Sequence, residues 1–291
     1  MTDDALDLFQ QHRPVLFGIA YRMLGSASDA EDILQDAWLS WSRVDTAGVA
    51  EPRAYLARTV TNLSLNRLGS AAVRRETYVG TWLPEPLVTV PDAGGEVERA
   101  ETVSLAMMVV LESLSPLERA VFVLKEVFGF AHAEIAAMLE RTEAAVRQVG
   151  SRAKAHVQAG RPRYEAPPEL RRRVTEEFLA ACVGGDLNRM MEMLAPEVTL
   201  WSDGGGKVKA ALRPITGADK AARWILGILL NRPVPDLAVH RVDINGQPGL
   251  LFSSGAAVDS VMVVELDQTG ITAIRLVRNP DKLRRITVPK D

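Results

Sequence analysis

Apolar positions at helical spacing run through residues 28–41 and predict an amphipathic helix. Ser28 and Glu31 match a capping box, so the helix is expected to begin at Ser28. The apolar stripe consists of Ala30, Ile33, Leu34, Ala37, Trp38 and Trp41. Four acidic and amide residues fall outside it: Asp29, Asp32, Gln35 and Asp36. We expect a helix that is both a core element and an acidic surface, although a merely solvated acidic face gives the same pattern.

A second amphipathic helix is predicted from Pro52, a residue suited to the first helical turn, to about Leu68. Leu56, Val60 and Leu63 fall on one side of it. The other side holds Tyr55, Arg58, Thr59, Asn62 and Asn66. Residues 53–75 include five arginines and no acidic residue, within a chain of formal net charge −3. An aromatic ring, amides and arginines on one stripe favour a nucleic-acid surface, with an ordinary basic helix as the alternative.

A third group of patterns predicts a helix-turn-helix. Ser115, Pro116 and Glu118 form a capping sequence, and the helix that follows is expected to reach about Phe128 before Gly129 ends it. A short helix over 133–139 and a turn near Glu140 and Arg141 should follow. Thr142 then caps a helix running to about residue 159. The second helix of such a pair is the one that enters a major groove of DNA.

The predicted second helix is basic. With Ala145, Val149 and Ala153 turned inward, an outer face is left for DNA. Together with the cap Thr142, that face consists of Glu143, Arg147, Gln148, Ser151, Arg152 and Lys154.

These motifs, in this order, resemble those of bacterial extracytoplasmic-function (ECF) sigma factors. The likeness covers roughly residues 5–160. Its motifs are Asp29-Ala30-Glu31-Asp32-Ile33-Leu34-Gln35-Asp36, Pro52-Arg53-Ala54-Tyr55-Leu56, Leu114-Ser115-Pro116-Leu117-Glu118-Arg119, Glu134-Ile135-Ala136 and Val146-Arg147. The resemblance implies that the partners are core RNA polymerase and promoter DNA, and that the chain is not an enzyme.

The resemblance also implies a role for each surface. Polymerase would contact Asp29, Asp32, Gln35 and Asp36. The −10 DNA element would be melted and read by Arg53, Tyr55, Arg58, Asn62, Asn66 and Arg67. The −35 element would be read by Thr142, Glu143, Arg147, Gln148, Ser151, Arg152 and Lys154. Three positions depart from the family pattern: Ala131 in place of a capping serine, Glu140 in place of a turn glycine, and Gly150 inside the recognition helix.

The chain after Pro167-Pro168 is long enough for a further domain. Helices are predicted over 169–182, 187–194 and 218–230, with Asp186 as a cap, and strands over 237–244, 249–252, 257–266 and 271–277. Helices followed by an antiparallel sheet indicate an α+β cone. The stretch 190–203 resembles the SnoaL-like, ketosteroid-isomerase-like fold. The fold class is therefore multidomain: two all-α sigma domains, the second with the helix-turn-helix, followed by an α+β cone domain of the SnoaL-like type. We place the domains at 1–75, 99–163 and 169–291, with a linker at 76–98.

Three short motifs resemble a branch of ECF sigma factors in which a fused C-terminal domain controls activity within the same chain. They are Trp82-Leu83-Pro84-Glu85-Pro86-Leu87, Asp203-Gly204-Gly205-Gly206-Lys207 and Asn279-Pro280-Asp281-Lys282-Leu283. Taken singly, they are equally explained as a stiff linker, a flexible turn and a helix stop. Together they predict that the second and third motifs hold the linker, with an unknown ligand or protein as a further partner of the domain.

Two other functions remain open. A cone domain can host an isomerase or cyclase, with Asp203, Asp259, His240 and Trp201 as candidates, but no spacing selects a base and a donor. A dimeric repressor would explain the helix-turn-helix and leave the acidic and basic helices without a purpose.

Composition sets the remaining limits. The 291 residues are 47% hydrophobic, and the single cysteine, Cys182, excludes an intramolecular disulfide. No signal peptide, transmembrane run or metal-binding cluster is evident, so we expect a cytoplasmic protein with no metal and no cofactor.

Overall fold

The computed structural model describes residues 2–89, 103–160, 166–231 and 236–289. The chain forms two compact units. The first consists of Met1–Glu76 and Met107–Arg161, and the second of Thr77–Ala106 and Pro162–Asp291. The predicted boundaries at 98–99 and 163 lie outside the described residues.

The first unit is helical. Its helices are α1 (Thr2–Leu24), α2 (Ala27–Trp41), α3 (Pro52–Glu76), α5 (Pro116–Phe122), α6 (His132–Leu139) and α7 (Glu143–Gly160), with a short 3-10 turn at Thr46–Gly48. Helix α4 (Leu105–Glu112) lies where the chain passes from the second unit back to the first.

Helices α1, α2 and α3 pack around a common core. Trp41 is fully buried, and its Nε1 donates to the Ala5 carbonyl at 2.8 Å. Leu56 and Val60 of α3 are buried as the pattern predicts, and Leu63 is half-buried. The acidic and basic helices are therefore core elements that each leave one face to solvent.

Two predicted helix bounds are wrong. Ser26, not Ser28, caps α2, since its Oγ accepts from the Asp29 N–H at 3.1 Å. Gly25 has a positive φ of 70° and ends α1. The turn that it forms is short, so α2 begins at Ala27. Helix α3 continues to Glu76, beyond the predicted Leu68, because Gly69 lowers helix propensity by only about 1 kcal/mol and does not end the helix.

The helix-turn-helix has the predicted caps. The Ser115 N–H donates to the Glu118 carboxylate at 3.1 Å, and the Glu118 N–H donates back to Ser115 Oγ at 3.4 Å. Hydrogen bonds from the Ser115 hydroxyl and N–H lower the pKa of Glu118. The regular helix ends earlier than predicted, at Phe122, because a π-helical turn over Val123–Val127 carries the chain to Gly129. Thr142 Oγ1 accepts from the Ala145 N–H at 3.2 Å and caps α7.

The second unit is a seven-stranded sheet with helices on one face. Its helices are α8 (Pro168–Gly184), α9 (Leu187–Met193), α10 (Ala218–Asn231) and α11 (Pro280–Leu283). Its strands are β1 (Val88–Thr89), β2 (Leu194–Asp203), β3 (Ile215–Thr216), β4 (Leu237–Ile244), β5 (Gln247–Ser254), β6 (Ala257–Asp267) and β7 (Gly270–Val277). The strand order is β1-β4-β5-β6-β7-β2-β3.

The predicted antiparallel sheet is in fact mixed, because β2 pairs in parallel with β7. The sequence reading assigned no strand to Leu194–Asp203. Pro196 lies in that strand beside the register shift between Leu194 and Thr199, where a proline is tolerated. The core lies between the helices and the facing side of the sheet, and includes Phe178, Met190, Ala222, Leu250, Met262 and Ile274.

Candidate functional site

Of the four polar residues on the acidic surface of α2, two form ion pairs with Arg67 and three are exposed. Arg67 on α3 donates to Asp29 Oδ1 from Nη2 at 2.7 Å, and to Asp32 Oδ2 at 2.9 Å. Asp29 is half-buried, whereas Asp32, Gln35 and Asp36 are exposed. The structure thus joins Arg67, predicted for DNA, to two residues predicted for polymerase.

The predicted −10 residues on α3 are mostly exposed, but two of them contact the helix-turn-helix. Arg53 Nη2 donates to the Phe128 carbonyl at 3.1 Å, and its guanidinium lies 4.7 Å from the centre of the Phe130 ring. Arg58 forms an ion pair with Glu140 at 2.7 Å.

The other three −10 candidates have different surroundings. The Tyr55 ring lies 5.5 Å from that of Trp41 and is 40% exposed. Asn62 is half-buried and Asn66 is exposed. These side chains share one face of α3, as the pattern predicts.

The outer face of α7 is exposed along its length. Arg147 forms an i,i+4 ion pair with Glu143 at 2.6 Å, and Lys154 pairs with Glu126 at 2.9 Å. The residues predicted for −35 DNA that are exposed on this face are Arg147, Gln148, Ser151, Arg152 and Lys154. Val146, Val149, Ala153 and Val157 form the buried side.

The three departures from the family pattern have local explanations. Ala131 has no capping side chain, and Glu134 compensates by accepting from the Ala131 N–H at 2.6 Å. Glu140 adopts the left-handed conformation, φ 54°, that glycine adopts at least cost. A Cβ at Gly150 would lie 3.3 Å from Val121 Cγ1, so Gly150 allows α7 to approach α5 closely.

A buried carboxylate in the second unit holds the linker at Tyr78 and Leu83. Asp203 is 0% exposed. Its Oδ2 accepts from the Leu83 N–H at 2.9 Å and from Lys282 Nζ at 2.7 Å. Its Oδ1 accepts from the Tyr78 hydroxyl and from the Gly205 N–H, the latter at 3.1 Å. One carboxylate therefore joins the linker, the glycine turn and α11.

Lys282 completes this arrangement. Its Nζ also donates to the Leu83 carbonyl and lies 3.2 Å from the centre of the Trp82 ring. Asn279 donates to the Tyr78 hydroxyl at 2.8 Å. Burial and the contact with Asp203 raise the pKa of Tyr78, so its hydroxyl stays protonated and donates. We call the contacts of Asp203, Asn279 and Lys282 with Tyr78, Trp82 and Leu83 the linker clasp.

The remaining members of the three motifs lie around the clasp. Pro84 is buried, and Lys207 pairs with Asp281. Pro280 occupies the first turn of α11, which Asn279 caps. A Cβ on Gly204 would meet the Val208 carbonyl oxygen at 2.4 Å, and one on Gly205 would meet Asn279 Nδ2 at 2.3 Å. The glycines are therefore required by close packing.

Sequence reasoning missed two linker contacts. Strand β1 extends the sheet by pairing antiparallel with β4, Val88 opposite Ile244. The buried Asn245 accepts from the Leu87 N–H at 3.0 Å and donates to the Val103 carbonyl at 3.3 Å. The sequence signal at this position, Asn245-Gly246, predicts a hairpin turn and does not by itself indicate a contact with the linker.

The four candidates for catalysis do not meet in one site. Asp203 belongs to the linker clasp. His240 hydrogen-bonds with Ser253 at 3.0 Å, and Trp201 lies under the Arg275 guanidinium. Asp259 alone lines the cavity between helices and sheet, where it pairs with Arg278 at 3.3 Å.

Across the four described segments, no group of metal-ligating side chains has the arrangement of a metal site. Within the same residues, no helix combines the length and the apolar character needed to cross a bilayer.

Comparison with known proteins agrees with the geometry. The model for sigma-70 region 2 matches residues 8–74, and that for sigma-70 region 4 matches residues 104–157. The ECF RNA polymerase sigma factor SigJ of Mycobacterium tuberculosis is 41% identical over 287 residues, which cover 94% of this chain and 91% of that protein. The probable ECF sigma factor SigI of the same species is 29% identical over 279 residues, covering 94% and 93%. The crystal structure of M. tuberculosis SigJ superposes with a TM-score of 0.77 at 35% identity, covering 96% of this chain and 98% of that one.

Helical units that carry a basic helix-turn-helix and match both sigma-70 regions define a sigma factor. The chain belongs to the extracytoplasmic-function RNA polymerase sigma factors, with an α+β domain at its C-terminal end. As a sigma factor, it binds core RNA polymerase and promoter DNA and directs transcription initiation.

Proposed function

We propose that the C-terminal domain controls initiation by this sigma factor in cis, by holding the linker between the two DNA-reading regions. The linker clasp carries this proposal. A segment whose backbone and aromatic side chains are bound to one domain is not free to thread into polymerase.

The chemistry of the linker supports this role. Trp82 and Leu83 are large apolar anchors, and Pro84 and Pro86 hold the chain extended, so little conformational entropy is lost on docking. Because linker and domain share one chain, the effective concentration is roughly millimolar for a short tether. A weak contact can therefore hold most molecules closed.

Run-off transcription with purified core polymerase tests the proposal. Lys282→Met removes the charge at the centre of the clasp, and transcription should change relative to the full-length protein. Arg284→Met, in the exposed residue that follows α11, is the matched control and should leave transcription unchanged.

Two truncations extend the test. Stopping before Asn279 removes Asn279 and Lys282 from the clasp, leaves Asp203 in place, and should raise activity. Stopping near Pro168 removes every strand except β1, together with Asp203, Asn279 and Lys282, and should lower activity. Equal transcription by full-length protein, both truncations and Lys282→Met would contradict control in cis.

We further propose that Asp32, Gln35 and Asp36 bind polymerase, since they are exposed on the side of α2 opposite the buried stripe. Reversal of Asp32 and Asp36 to lysine should weaken holoenzyme formation in a pull-down without loss of helix content by circular dichroism. Reversal of Glu112, on α4, is the control. Undiminished binding by the double reversal would contradict the assignment.

We propose that the C-terminal domain acts as a binding module and not as an enzyme, in the cytoplasm where polymerase is found. Asp259 is the one acidic side chain on the described cavity wall, and Arg278 balances its charge. A general base needs a carboxylate that is free to accept a proton from its substrate.

A further inference from the structure

The second unit contains a cavity of about 290 Å³ between α8, α10 and the facing side of the sheet. Its walls are almost wholly apolar, and include Leu179, Trp224, Ile228, Phe252, Met262 and Ile274. Protein cores are otherwise packed with few voids larger than a water molecule. An apolar volume of this size is therefore a place for another molecule.

The cavity has one polar end, formed by Asp259, Ser260 and Arg278. Arg278 Nη2 pairs with Asp259 at 3.3 Å, and Nη1 donates to the Lys209 carbonyl at 2.9 Å. The pair leaves this end without net charge. A charged ligand would have to displace one partner, whereas a neutral hydroxyl, amine or carbonyl can hydrogen-bond to both.

The volume limits the size of the occupant. An engineered apolar cavity of about 150 Å³ holds benzene. A cavity of about 290 Å³ thus suits a molecule about twice that size.

The polar end is joined directly to the linker clasp. The Arg278 N–H donates to the Asp203 carbonyl at 2.7 Å, and Asn279, the next residue, contacts Tyr78. On β2, Leu200 lines the cavity and Asp203, three residues later, holds Leu83. A displacement of Arg278 would therefore shift both Asp203 and Asn279, two of the residues that hold the linker.

We propose that this cavity binds a small, neutral, lipophilic molecule with one hydrogen-bonding group, and that its occupancy sets the strength of the linker clasp. The proposal that the cavity binds a ligand is independent of control in cis. The proposal that occupancy sets the strength of the linker clasp rests on control in cis.

1-Naphthylamine is a suitable probe, because it is neutral at pH 7, carries one amino group, is about twice the size of benzene, and its fluorescence changes in apolar surroundings. It should bind the full-length protein at one saturable site. Ile228→Trp fills the cavity and should weaken binding at least about tenfold. Met191→Trp adds the same side chain at an exposed position on α9 and should leave the affinity unchanged.

Run-off transcription with and without the probe tests the coupling. The probe should change the yield of the wild-type and Met191→Trp holoenzymes and have no effect on Ile228→Trp. Equal binding by wild type and Ile228→Trp, or no saturable binding to either, would overturn the cavity as a ligand site. Cavity binding without a change in transcription would overturn the coupling. The truncations described above, assayed without probe, report separately on control in cis.

Discussion

At the scale of single residues, the buried pair of Asp203 and Lys282 is central to the clasp. Both side chains are nearly inaccessible, both hydrogen-bond to Leu83 of the linker, and Asp203 also accepts from the Gly205 N–H. Removal of one partner from a buried ion pair leaves an uncompensated charge, which typically costs about 3–5 kcal/mol.

Lys282→Met and Asp203→Asn should therefore each lower the unfolding free energy of the second unit by about 3–5 kcal/mol. The double variant should lose less than the sum of the two, since no unpaired charge remains. Urea denaturation of all four proteins measures the coupling. Additive losses would mean that the two side chains do not interact.

Gly205 is a second residue on which the clasp depends. Its φ is 60°, and a Cβ would meet the Asn279 amide at 2.3 Å. Gly205→Ala should lower thermal stability and expose Trp82 to acrylamide quenching. Gly184→Ala has open space and no positive φ, so it should be neutral or mildly stabilising. An intact clasp in Gly205→Ala would show that the turn adjusts without loss.

At the scale of elements, α7, the proposed recognition helix, presents its polar face away from α5. An arginine that reads a base supplies about 1–3 kcal/mol of discrimination, whereas a phosphate contact weakens all sequences alike. Arg147→Ala should thus reduce binding to duplex that carries the upstream element more than binding to random duplex. Gln158→Ala, on the exposed last turn of α7, is the control. An equal loss on both duplexes would make Arg147 a phosphate contact.

The elements also show what the sequence could and could not predict. Local signals sufficed for β4, whose bounds match the prediction, and for the cap at Thr142. Strand β2 was missed because it contains a proline and a bulge, and because its partner β7 lies far along the chain. The three motifs around the clasp were recognisable, but the roles of Tyr78 and Asn245 arise from contacts across more than 100 residues.

At the scale of the whole molecule, the two regions proposed to read DNA are in contact. Arg58 on α3 is paired with Glu140 in the turn of the helix-turn-helix. The −10 and −35 elements are separated along B-DNA by roughly 85 Å, at about 3.4 Å per base pair. If α3 and α7 read these elements as proposed, this contact has to part in the promoter complex.

The Arg58–Glu140 pair is exposed. It should contribute no more than about 1 kcal/mol to the stability of the closed state, in which α3 contacts the helix-turn-helix. Glu140→Gln should increase the open population by at most about fivefold, and added salt should have a similar effect on wild type. Energy transfer between fluorophores on α3 and α7 measures the change. Glu143→Gln removes a pair within α7 and should leave the distance unchanged. A Glu140→Gln protein indistinguishable from wild type at low salt would show that the pair does not restrain opening.

The attachment of the linker to the sheet also has a consequence for synthesis on the ribosome. Lys282 follows Leu83 by 199 residues, so the linker emerges long before the residues that hold it. At about 5–20 residues per second, the interval is roughly 10–40 s. From the synthesis of Gly160 until that of Asp203, the nascent chain contains both regions proposed to read DNA and a linker that no clasp residue yet holds. If the clasp controls initiation as proposed, each new molecule therefore begins in the released form, and polymerase has access to it before the clasp is complete.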